Sequence, residues 1–188
     1  MYRDSAKDVL MHAMVHLLNR KSISHIRLSD ILLESGVSKS TFYRNFIDKY
    51  ELMNYCFSRM MEDSLSGMKQ VSYTEKPHAI INVLQSNRQF FLNGLYDLNG
   101  EDPLKEYVYD YIYKFYEQQY LLRKDRSRLL TYEKLAVICA AGGFLRILEE
   151  WLKRPELLDL TDPEIANLEV DLLPDVLKCV CLQNNSHR

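Results

Sequence analysis

Between Ile26 and Leu52 the chain reads IRLSDILLESGVSKSTFYRNFIDKYEL, and this stretch restricts the fold more than any other because it packs two helix starts and one helix stop into so little chain. Leu28, Ile31 and Leu32 recur at i, i+3 and i+4, the spacing of one buried helical face. Gly36 follows as the residue that takes positive φ at a helix end, so a helix ends near Ser35. Val37 returns the chain to the core, and the side-chain oxygen of Ser38 suits the cap of the next helix. In that helix Phe42 and Phe46 are apolar anchors, while Thr41, Tyr43, Arg44 and Asn45 are polar. A third helix starts behind them near Asp48. The layout is a helix-turn-helix, with polar groups outward and aromatic rings inward, as suits a helix lying in a DNA groove.

The same residues carry a family likeness. The run GVSKSTFYRNFIDKYEL, Gly36 to Leu52, resembles the DNA-binding domain of the tetracycline-repressor (TetR) family. The usual pattern there is Gly-Val-Ser, two variable or small residues, an aliphatic or aromatic residue, Tyr, two more residues, Phe, then Lys and Leu. The likeness reaches back over Asp30 and Ile31. Arg27 stands where that family often has a Thr cap, Leu32 where Ala is common, Ser40 where Gly is common and Asn45 where His is common. The resemblance implies DNA-facing positions at Arg27, Ser38, Lys39, Ser40, Thr41, Tyr43, Arg44, Asn45 and Lys49. Of these, Lys39, Ser40, Thr41 and Arg44 are expected at or near base edges, and Tyr43, Asn45 and Lys49 at phosphates.

The resemblance also implies a ligand-responsive regulator, expected to be a repressor, that binds a palindromic double-stranded DNA operator as a homodimer. Two readers related by a two-fold axis enter successive major grooves about 34 Å apart. Dimerisation through the last two long helices, in a four-helix bundle, would place Gly143, Ile147, Trp151, Leu168 and Leu172 at or near the interface. The alternative is a TetR-like protein that acts mainly through a protein partner. Some relatives are activators working with a kinase-like co-activator, and the wording Phe-Tyr-x-x-Phe-x-Asp-Lys-Tyr-x-Leu is similar to theirs.

Charge fits a DNA binder only when the chain is divided. Its formal net charge is −2 over 188 residues. Residues 1–50 hold eight Lys or Arg against five acids, a net +3, which leaves −5 for the remainder. A basic head on an acidic body attracts phosphate at one end and repels it at the other. No Gly-rich phosphate loop, nucleophile elbow or His/carboxylate constellation at metal spacing occurs, so neither catalysis nor a cofactor is expected. No apolar run approaches the roughly 18 residues of a membrane span, and Asp4, Lys7 and Asp8 interrupt the start where a leader peptide would lie, so a cytoplasmic location is expected. The cysteines Cys56, Cys139, Cys179 and Cys181 lie in helical contexts and read as reduced thiols. Cys179 and Cys181 with His187 lack a second ligand pair, so no metal site is expected.

Along the chain the periodicity is helical throughout, with no alternating strand pattern and no internal repeat. This predicts an all-α protein of about nine helices: a three-helix helix-turn-helix domain over residues 1–50 and a helical effector-binding and dimerisation domain over 51–188. The first helix is expected over Ser5 to Asn19, burying Ala6, Val9, Leu10, Ala13, Met14, Leu17 and Leu18. The fourth begins at an Asp48 cap and runs toward Lys69, linking reader to body. Pro77 suits the first turn of the next helix, and Gly94 and the segment Asn99 to Pro103 read as turns. Long helices follow over Pro103 to Arg123 and Thr131 to Lys153, the second opened by Thr131 with Lys134. A last helix starts at Thr161-Asp162-Pro163 and kinks at Pro174. Tyr109, Tyr113, Tyr116 and Tyr120 recur at helical spacing. The candidate pocket for an unknown small-molecule effector is Tyr55, Phe90, Tyr109, Tyr113 and Tyr116, though packing at a core edge would use the same stripe. Ala136, Ala140 and Gly143 form a small-residue line along which another helix could approach closely.

Overall fold

The computed structural model describes residues 5–66, 82–95 and 103–157, and all regular structure among them is helical. The helices are α1 (Ala6–Leu18), α2 (Leu28–Ser35), α3 (Lys39–Asn45), α4 (Lys49–Ser66), α5 (Arg88–Leu95), α6 (Pro103–Lys124) and α7 (Thr131–Lys153). Short 3-10 turns lie at Ile23–His25 and Pro155–Leu157. None of the described helices is long and apolar enough to cross a membrane. The last expected helix, with Leu168, Leu172 and Pro174, lies outside the described residues, as do Pro77, Cys179, Cys181 and His187.

The described residues fall into two compact units, divided between residues 105 and 106 of α6. The first is organised around α1, which packs against α2, α3, α4 and α5. Its sequence explains that central place. Leu10, Ala13, Met14, Leu17 and Leu18 are buried along one face, and Ser5 caps the start with Asp8 in a reciprocal box: Asp8 N–H donates to Ser5 Oγ at 3.2 Å and Ser5 N–H to Asp8 Oδ2 at 3.1 Å. Such a box satisfies two backbone amides at the start of a helix reciprocally. Onto that face come Ile23, Ile26, Ile31, Phe42, Leu52 and Met53, all 0–1 % exposed. Because α4 and α5 share this core, the unit that holds the helix-turn-helix continues well past residue 50.

Gly94 serves close packing in place of the expected turn. It lies inside α5, and a Cβ there would meet Leu104 Cδ2 at 2.6 Å and Met53 Sδ at 3.3 Å. Beside it, Asn93 Nδ2 donates to the Leu18 carbonyl at 2.7 Å, satisfying a group that the end of α1 leaves open.

In the second unit, residues 106–124 of α6 and the whole of α7 bury Val108, Ile112, Tyr116, Tyr120, Ala136, Val137, Ala141, Leu145, Leu148, Trp151 and Leu152. The joint between the helices is polar and tightly bonded. The Glu133 carboxylate, 2 % exposed, accepts from Tyr120 Oη at 2.6 Å, from Leu130 N–H at 2.7 Å and from the Arg126 guanidinium. Burial alone would raise the Glu133 carboxyl, but Tyr120, the Leu130 amide and Arg126 together hold it below the usual glutamate range. The cap of α7 is thus Leu130 with Glu133 reaching back to its amide. Thr131 is the first helical residue and not the expected cap, because the carboxylate three residues past the cap has the reach.

Candidate nucleic-acid interface

The helix-turn-helix is α2, the turn at Gly36 and α3. Gly36 ends α2 with φ +67°, and nothing lies within 4 Å of where a Cβ would stand, so glycine is required there by backbone conformation alone. Val37 N–H donates to Ser35 Oγ at 3.2 Å, and Ser38 Oγ accepts from Thr41 N–H at 3.2 Å, so the expected cap is in place. Phe42 and Phe46, 0 % and 3 % exposed, anchor α3 to the core. Of the other positions, Ser38, Lys39, Ser40, Tyr43 and Arg44 are exposed, with Ser40 and Arg44 on the face opposite those anchors, and Thr41 and Asn45 are half-buried.

The outer side chains are ordered by one another. Arg44 Nη2 donates to Thr41 Oγ1 at 2.9 Å, and Asn45 Nδ2 donates to the Thr41 carbonyl at 2.8 Å. Lys39 Nζ lies 5.9 Å from the centre of the Tyr43 ring, a cation–π pair one helical turn apart. Tyr43 is 52 % exposed and meets Phe42 edge-on. Lys39, Tyr43 and Arg44 are thus three exposed hydrogen-bond donors within one short helix.

Lys49 is placed differently from those three. It is half-buried, and its Nζ donates to the Ile23 carbonyl at 2.7 Å and the Ile26 carbonyl at 2.9 Å, across 26 and 23 residues of sequence. The ammonium ties the start of α4 to the turn that precedes α2. Asp48 caps α4 beside it, its Oδ1 accepting from Tyr50 N–H at 2.9 Å and Glu51 N–H at 2.8 Å.

Arg27 is the N-cap residue of α2 but has no acceptor oxygen to offer, and only the reverse half of a capping box forms. Asp30 Oδ2 accepts from Arg27 N–H at 3.0 Å and from Lys21 Nζ at 2.6 Å. The Lys21 bond first, and the Arg27 amide second, hold the Asp30 carboxyl below its usual value of 3.8. The sequence reading overlooked this role of Asp30, although a carboxylate three residues past a helix start is its ordinary signal. His16 Nδ1 and Glu34 Oε1 form a further pair between α1 and α2 at 2.8 Å.

The candidate effector residues divide between the two units. Tyr55 and Phe90 belong to the first. The Tyr55 ring packs 5.3 Å from that of Phe46 with Lys7 Nζ over it, and Phe90 is fully buried against Phe91. Tyr109, Tyr113 and Tyr116 belong to the second. Tyr109 and Tyr113 are half-buried with ring centres 6.5 Å apart, and Tyr116 is buried against Phe144. On α7, Gly143 is exposed with no atom of the described residues near its Cβ position, Ile147 is half-buried, and Trp151 is already buried by its own chain at 4 % exposure. Among the described residues no cluster of His, Cys, Asp and Glu could hold a metal ion.

No protein-family model and no curated protein sequence matches the chain. Solved structures do. A candidate TetR-family transcriptional regulator from Syntrophomonas wolfei superposes with a TM-score of 0.60 at 17 % identity, over 94 % of this chain and 95 % of the other. The dihydroxyacetone kinase operon activator DhaS superposes with a TM-score of 0.59 at 14 % identity, over 95 % of each chain. The likeness thus takes in nearly the whole length of the chain, well beyond the helix-turn-helix, and the fold is that of TetR-like transcriptional regulators.

Proposed function

We propose that this chain is a TetR-like transcriptional regulator that reads double-stranded DNA through α3, as a homodimer on a palindromic operator. The observation that carries this reading is the outer face of α3. A helix anchored by Phe42 and Phe46 turns Lys39, Ser40, Tyr43 and Arg44 outward, and the unit around it is basic at its N-terminal end. Lys39, Ser40, Thr41 and Arg44 are assigned to base edges and Tyr43 to a phosphate, with Ser38 and Arg27 at the flanks. Asn45, whose Nδ2 donates to the Thr41 carbonyl, and Lys49, whose ammonium bridges the Ile23 and Ile26 carbonyls, are assigned to holding the reader in shape.

Dimerisation is assigned to the side of α7 that carries exposed Gly143 and half-buried Ile147, together with the chain's last segment. An effector is assigned to the second unit, beside Tyr109 and Tyr113, whose half-buried rings offer flat apolar walls with hydroxyls. Its binding would bias the separation of the two readers, and so their fit to the operator.

Whether the output is repression or activation is a separate choice. The likeness to an operon activator favours activation as the second reading. Fluorescence anisotropy with the DNA upstream of the chain's own gene, over a salt series, tests the shared core of both. Saturable, sequence-preferring and salt-sensitive binding with two chains per duplex is expected. Equal binding to scrambled duplex overturns the reading.

A further inference from the structure

Resting on the DNA-reading assignment above, we infer that Arg44 reads a guanine in each half-site and that Thr41 positions it to do so. The argument starts from what arginine can do in a major groove. A guanidinium offers parallel N–H donors that match O6 and N7 of guanine, an acceptor pair no other base edge presents in that arrangement. The group is discriminating only if the long side chain is aimed, because an unrestrained arginine satisfies itself on the nearest phosphate.

In this chain it is aimed. Arg44 is exposed, on the side of α3 opposite the buried Phe42 and Phe46, and its Nη2 donates to Thr41 Oγ1 at 2.9 Å. The Thr41 hydroxyl is itself held, accepting from Ser38 Oγ at 3.0 Å, and the Thr41 amide is fixed on Ser38 Oγ at 3.2 Å. Ser38 thus caps the helix and orders the hydroxyl that orders the arginine. One bond to Thr41 uses one of the five guanidinium hydrogens and leaves donors for a base edge. Lys39, the other exposed cation of α3, lies over the Tyr43 ring. It approaches DNA as a point charge without a planar fork, which suits a phosphate or a looser base contact.

The test selects duplexes from a random-core DNA library with the full-length protein and with Arg44→Ala, Thr41→Val and Thr41→Ser. Wild type is expected to enrich a two-fold motif with a guanine at one symmetric position. Arg44→Ala is expected to lose preference at that position alone, by roughly 5- to 150-fold, and to keep the rest of the motif. Thr41→Val, of similar size but without the hydroxyl, is expected to lose part of that preference, and Thr41→Ser to keep it. Replacing the selected guanine by 7-deazaguanine, which lacks the N7 acceptor, should weaken wild type and leave Arg44→Ala unchanged. If Arg44→Ala enriches the same motif, or weakens all duplexes uniformly with a shallower salt dependence, the inference is overturned while the DNA-reading assignment stands. If wild type enriches no motif, that assignment fails and the inference with it.

Discussion

Replacing Lys49 by Met separates two roles that one lysine can play at the edge of a helix-turn-helix. The substitution keeps an unbranched apolar stem and removes the ammonium, and with it the bonds to the Ile23 and Ile26 carbonyls at 2.7 and 2.9 Å. Hydrogen bonds from a charged donor are worth about 1.5–3 kcal/mol each, and a site only half-buried lets water replace part of that, so the total loss is about 2–3 kcal/mol. For a chain of this size that lowers the melting temperature by roughly 5–10 °C. The turn before α2 is then no longer tied to the start of α4, and under the proposed function operator affinity falls because the helix-turn-helix is less ordered. The number of phosphates contacted does not change, so the slope of log affinity against log salt stays at its wild-type value. A lysine bound to phosphate does the opposite: its loss leaves the melting temperature alone and reduces that slope by about 0.9 for each reader. Thermal melting followed by circular dichroism, with anisotropy at several salt concentrations, distinguishes them. A Lys49→Met protein that melts like wild type and shows the shallower slope refutes the clamp.

Three further outcomes follow from the geometry. Glu133→Ala leaves the buried Tyr120 hydroxyl and the Leu130 amide without their acceptor and is expected to cost about 3 kcal/mol or more, whereas Glu133→Gln, which keeps an acceptor, costs less; urea unfolding followed by circular dichroism checks both. Gly36→Ala forces a side chain onto φ +67° with no steric neighbour to blame, so it is expected to cost about 1 kcal/mol, and Gly36→Val more, by the same unfolding measurement. Asp30 and Glu133 are both held below their usual values of 3.8 and 4.5, so each stabilises the fold above those values and loses that contribution as pH falls through the lower folded-state value. Stability measured from neutral pH downward should therefore hold to about those values and then decline, and Asp30→Asn should show a smaller decline.

The helix-turn-helix was legible in the sequence because its determinants are local. Leu28, Ile31 and Leu32 carry a helical period, Gly36 occupies a backbone conformation that only glycine adopts without strain, and Ser38 and Asp48 cap helices through amides two or three residues away. Such interactions are written within a few residues, so α1 to α4 and the ends of α6 and α7 could be placed from the letters alone. The all-helical class followed from the same periodicity.

What tertiary structure decided depends on residues far apart in the chain. Nothing local shows that the Lys49 ammonium binds carbonyls 23 and 26 residues earlier, that Gly94 is small because Leu104 and Met53 press on it, or that Tyr120 spends its hydroxyl on Glu133. The tyrosine stripe of α6 shows the limit most clearly. Helical spacing puts Tyr109, Tyr113, Tyr116 and Tyr120 along one line, but only packing separates the half-buried pair Tyr109 and Tyr113 from buried Tyr116 and from Tyr120, which is bonded to a carboxylate. Periodicity states which face a residue occupies; what covers that face is set by whichever element the folded chain brings against it.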